Sequence, residues 1–171
     1  MSDRIKQILL TPPAAVLMGA LCGLLARFAE YRDSFLEDVT SRVMLWVVVC
    51  VLVTLLSSSK RQAETFVAFF AVPMIAANLG LWYYLAHTTD YAPPTVVRLV
   101  CWIVFGLLSP LFASGVYMCR HHSLFSILMQ PAILILPLLV TLIAFRSICI
   151  ADILFAAVLA YLIYFKKLGQ E

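Results

Sequence analysis

Along this chain apolar residues come in long unbroken runs, without the alternation of a half-buried strand or the single wet face of a soluble helix. Six runs stand out, Leu9–Ala26, Val43–Leu56, Thr65–Leu85, Val96–Met118, Leu124–Phe145 and Ile148–Phe165, separated by charges, Gly/Pro pairs or polar clusters. Because roughly 20 apolar residues cross a bilayer as a helix, the pattern predicts an all-α fold, a polytopic membrane helix bundle of about six transmembrane helices. The second run, about 14 residues or roughly 21 Å at the helical rise, is short. It has to recruit Thr40–Arg42 and Ser57–Ser59 or sit where the bilayer thins. Only Arg146 and Ser147 separate the last two runs, which predicts a tight helical hairpin. Arg4 and Lys6 precede the first run as in a signal peptide, but the run continues through Gly23 with no A-x-A cleavage pattern, so a retained helix is expected. No internal repeat is visible, and residues 1–171 read as one integral membrane domain.

Composition narrows the picture. The chain is 64% hydrophobic and 12% charged, against roughly 45–50% and 25% in soluble domains, which excludes a cytosolic enzyme, a disordered chain and a disulfide-stapled secreted fold. The net charge of +3 is spread over short loops, so nucleic acid is not an expected partner. Lysine and arginine in short loops set orientation. The N-terminus, Lys60–Arg61, Arg120 and Lys166–Lys167 share one side and hold seven basic residues, including all four lysines. Arg27, Arg32, Arg42, Arg98 and Arg146 lie on the other side among acidic residues, so both termini are predicted to be cytoplasmic.

Polar side chains within apolar runs are costly and usually face protein or a wet cavity. Here they gather toward the predicted outer end. Arg27 closes the first run, Arg98 lies one turn into the fourth and Asp152 one turn into the sixth, so one of the arginines is expected to pair with Asp152. The alternative for each arginine is snorkelling to the headgroups. Asp152 has Ala156 and Ala160 at helical spacing, a small-residue stripe that turns it toward protein. Asn78 shares a face with Trp82, with Tyr83 and Tyr84 beyond, and reads either as a ligand wall or as an interhelical amide beside an interfacial aromatic belt. The Phe28–Ser41 segment, with Phe28, Tyr31, Phe35 and Leu36 at helical spacing, predicts a short amphipathic helix over the outer mouth, as a lid or a cover for helix ends. His87, Asp90, Tyr91 and Pro93–Pro94 form the opposite rim. Ala15, Gly19 and Gly23 make a small-residue stripe for close helix approach, either inside the bundle or toward a membrane partner. Pro110 and Pro137 kink their helices, and Gln130, Pro137 and Thr141 share a face that lines a cavity or satisfies freed carbonyls.

Catalytic chemistry is not apparent. Cys22, Cys50, Cys101, Cys119 and Cys149 are single and scattered, His121–His122 sit in a polar turn, and no nucleotide-binding motif occurs. Ala113-Ser114-Gly115 resembles the serine turn of intramembrane rhomboid proteases but lacks the leading glycine and a histidine in a later span. No enzyme activity, cofactor or metal is therefore expected.

Two resemblances bear on function. Gly19-Ala20-Leu21-Cys22-Gly23, Trp46, Asn78-x-Gly80…Tyr84 and Gly106…Ser109-Pro110…Gly115 are similar to a family of small bacterial six-span membrane proteins of unknown function, implying the bacterial cytoplasmic membrane. Ala15/Gly19/Gly23, the Phe28–Ser41 loop and Trp82–Tyr84 also resemble the substrate-binding S-component of energy-coupling-factor transporters. That architecture implies an outward ligand pocket, here Asn78, Trp82, Tyr84, Arg98 and Asp152, with Ala15, Gly19 and Gly23 docking a coupling subunit. The expected function is a solute-binding membrane subunit dependent on partners. The alternative is a non-catalytic structural or regulatory subunit of a membrane complex.

Overall fold

A computed structural model describes residues 11–32, 39–40, 43–92, 95–119 and 124–165. These residues form six α-helices: α1 (Pro12–Tyr31), α2 (Val43–Leu56), α3 (Lys60–Thr88), α4 (Val96–Met118), α5 (Leu124–Phe145) and α6 (Ile150–Ala160), the last continuing as a π-helical turn over Tyr161–Phe165. No strand occurs among the described residues. α1, α3, α4 and most of α5 are long and apolar enough to cross a membrane; α2 and α6 are shorter apolar helices.

Helix starts follow local chemistry. Pro12 opens α1 where its missing N–H costs nothing. Ser59 caps α3 by accepting from the Gln62 amide at 3.2 Å, and Thr95 caps α4 by accepting from the Arg98 amide at 3.4 Å. Pro73, Pro110, Pro131 and Pro137 lie inside helices, where neighbouring helices hold the interrupted backbone in place.

α2 is the centre of the molecule, packing on α3, α4, α5 and α6. Val43, Met44, Trp46, Val47, Val48, Cys50, Val51 and Thr54 are all buried around its circumference, as expected of a helix apolar on every side. It stops at Leu56 without recruiting Ser57–Ser59, and other helices surround most of it, leaving Leu52 and Leu56 exposed.

α1 packs almost entirely on α3, and the two run parallel. Gly19 faces Phe70, Gly23 faces Met74 and Arg27 faces Asn78, each pair 51 residues apart. A Cβ at Gly19 or Gly23 would strike the Phe70 or Met74 carbonyl, so the backbones meet at a distance only glycine permits. The opposite face of α1 exposes Leu17, Leu21, Leu25 and Phe28. α3 and α4 are antiparallel, with Gly106 against Ile75, and α4 and α5 form a hairpin with Gly115 against Met129.

α1 also runs past Ala26 to Tyr31, so Phe28 and Tyr31 belong to this helix and not to a separate lid. Most of the remaining predicted lid, Pro93–Pro94, Arg120, His121–His122 and both chain ends lie outside the described residues.

Candidate functional site: an arginine–tryptophan clamp

Four segments converge at the predicted outer end: the last turns of α1, the second half of α3, the loop after it and the start of α4. The first contributes Arg27, only 1% exposed. Its Nη2 donates to Asn78 Oδ1 at 2.7 Å, and its Nη1 donates to Glu30 Oε2 at 2.7 Å and to the Tyr91 hydroxyl at 3.4 Å. The guanidinium stands over Trp82, with Cζ 3.9 Å from the ring centroid. Asn78 completes the link to α1 by donating to the Gly23 carbonyl at 3.3 Å.

Glu30 joins the two arginines. One carboxylate oxygen accepts from Arg27, and the other pairs with Arg98 Nη1 at 2.9 Å. Arg98 also stands over Trp82, 5.6 Å from the centroid, and Trp82 Nε1 donates to the Ala92 carbonyl at 3.1 Å. Tyr31 packs edge-on against Tyr91 at 5.7 Å and covers the cluster. A guanidinium buried this deeply needs its charge and its π-face engaged; both Nη atoms and the face are engaged here, while Nε has no hydrogen-bond partner among the described residues. Burial first, then the Glu30 charge, raises the Tyr91 phenol above its ordinary value, while Arg27 pulls the other way.

Of the residues singled out in the sequence, Asn78, Trp82 and Arg98 meet here. Tyr84 does not: it is 61% exposed, on the far side of α3 from Trp82. Its neighbour Tyr83 is also exposed and packs on His87, the tilted rings 4.1 Å apart. Asp152 is fully buried but lies on α6, which packs on α2 and α5. Its Oδ2 accepts from the Cys149 amide at 3.0 Å and the Cys149 thiol at 3.3 Å, closing the first turn of α6. The carboxylate between the arginines is Glu30. Its i,i+3 spacing from Arg27 is the signal that identifies it, provided the helix is carried past the apolar run. Ala15, Gly19 and Gly23 are buried against α3, so their face is occupied inside the chain and not presented to a partner.

Two spaces matter. Beside the clamp, among Gly23, Asn78, Trp46 and Trp102, a void of about 10 Å³ remains, enough for about one water. Farther round, α2, α4 and α5 enclose a cleft of about 260 Å³ to which no polar surface contributes. Gln130 is engaged within α5, donating to Ser126 at 3.1 Å, and Pro137 lines the cleft. Among the described residues no disulfide forms, and no group of three His, Cys, Asp or Glu side chains is placed to hold a metal. Comparison with protein-family models, curated proteins and solved structures finds no match to this chain.

Proposed function

We propose that the chain is a non-catalytic integral membrane subunit, structural or regulatory toward a partner, with all six helices embedded and both termini on the lysine-rich side. The closure of the polar cluster carries this reading. Among the described residues Arg27, Glu30, Asn78, Tyr91 and Arg98 engage one another around Trp82, and a void beside them has room for about one water. Groups so arranged fix helices to one another, and a solute would have to displace a buried ion pair to reach them.

The solute-binding reading has support of its own in the same residues. Two guanidiniums, an amide and an indole at one end of a bundle are the donors and stacking surface that a small anionic planar solute requires. It needs a second, open arrangement in which Glu30 releases an arginine. Native mass spectrometry of the gently extracted protein separates the two readings. The subunit reading expects a stoichiometric membrane-protein partner and no small polar adduct. A retained polar solute that disappears in Arg27→Gln would replace it with the solute-binding reading.

A further inference from the structure

The cleft between α2, α4 and α5 has the wrong chemistry for a polar solute. Val43 and Val47 of α2, both buried, form its floor; Val104 and Leu108 of α4 and Pro137 and Val140 of α5 form its sides. Ser109 also lines it, yet its hydroxyl turns back to donate to the Gly106 carbonyl at 2.8 Å and presents no polar atom to the space. Pro137 cannot donate to its preceding turn, which favours a bend in α5 at the cleft.

Shape narrows the occupant. On α4 the lining runs from Val100 to Phe112, about 18 Å along the axis at the helical rise. α2 and α5 wall the cleft for about one turn each, through Val43 and Val47 and through Leu136, Pro137 and Val140, so its volume of about 260 Å³ is a groove along α4, open past the half-exposed Val104 and Leu108. Its volume is far below that of a helix segment of the same length, roughly 10 Å across. Left empty, such a slot forfeits dispersion contacts along its whole wall. The end at Val100 adds charge. Arg98, two residues away and 20% exposed while paired with Glu30, shares that end with the amide terminus of α4. Both favour an anionic group at headgroup depth.

From this convergence we infer that the slot is a binding site for one acyl chain of a bilayer phospholipid, with the phosphate held near Arg98 and the chain lying along α4. The inference rests on the membrane part of the proposed function and not on the subunit role, so either can fail alone. Recovery of the chain only from detergent-extracted membranes tests residence in the bilayer; lipid retention tests the slot.

The decisive comparison is native mass spectrometry of delipidated full chain after titration with phosphatidylglycerol. Val104→Trp and Val140→Trp fill the slot, and Leu25→Trp on the outer face of α1 is the control. The expected result is one tightly retained phospholipid per chain in wild type and Leu25→Trp, reduced at least tenfold in both slot variants. Equal retention in the slot variants overturns the site. So does retention of free fatty acid or detergent in place of phospholipid. Should the slot variants fail to fold, wild type alone decides. Thermal protection by phosphatidylglycerols should rise with acyl length until the chain spans the slot and then level off; protection independent of length overturns the inference.

Discussion

Among the described residues Arg27 is the most deeply buried cation, with almost no access to solvent, held by Glu30, Asn78 and Tyr91 and set over Trp82. Removing one member of a buried ion pair leaves the other uncompensated, at a cost of about 3–5 kcal/mol. Arg27→Gln should fall at the low end, near 3 kcal/mol, because Glu30 keeps its pair with Arg98. Thermal unfolding in detergent micelles reads this as a lowered midpoint. Tyr91 adds a pH signature. Its raised phenol stays neutral in the folded chain where an unfolded tyrosine ionises, so its contribution is complete below about pH 10 and is lost as pH climbs through the folded value. Tyr91→Phe should flatten that alkaline limb, measured as the difference in midpoint between variant and wild type from about pH 9 to 11.5. Asp152 behaves differently. As a first-turn cap its loss in Asp152→Ala should cost about 0.5–2 kcal/mol, while Asp152→Asn, which can accept the same amide, should cost less. A clear midpoint difference between the two variants checks that role.

At the level of helices, the α1–α3 interface has no slack. Gly19 and Gly23 bring α1 onto the Phe70 and Met74 carbonyls, so any side chain there must push the helices apart. Gly23→Ala should destabilise by about 1–3 kcal/mol, and Gly80→Ala, where an added methyl meets nothing, should be neutral or slightly stabilising. The pair, measured by the same unfolding assay, separates close packing from helix propensity. The element boundaries were largely legible in the apolar runs: the expected Val43–Leu56, Val96–Met118 and Leu124–Phe145 coincide with α2, α4 and α5. Where the helices run longer, charge is the reason. α1 carries Arg27 and Glu30, and α3 begins at Lys60, because ions that pair along a helix, as Lys60 does with Glu64, extend it past its apolar stretch. The site was legible in depth but not in direction. Sequence places Arg27, Asn78, Arg98 and Asp152 near one end, but which of them meet depends on how each helix is turned and which neighbours it touches. α6 packs on α2 and α5 whereas α1 packs on α3, and that separates Asp152 from Arg27.

Taken whole, the molecule is inverted relative to a soluble domain. Leu21, Leu107, Leu111 and Ile153 are exposed, while Arg27, Thr54, Thr141 and Asp152 are buried. An exterior of this kind suits hydrocarbon, and most of the buried polar groups find partners inside the protein, Thr141 Oγ1 and Arg27 Nε having none among the described residues. The proposed six crossings would bring both chain ends to the same face. Reporters fused at either end should therefore behave alike, fluorescent where the reporter must fold in the cytoplasm and inactive where it must be exported. Opposite behaviour at the two ends would mean an odd number of crossings. The parallel pairing of α1 with α3 also has a temporal side. Asn78 is polymerised 51 residues after Arg27, an interval of about 3–10 s at ribosomal rates of roughly 5–20 residues per second. Throughout that wait the first helix has been made but its acceptor has not, leaving a nascent cation to be sheltered by Glu30, by water at the interface or by the insertion machinery.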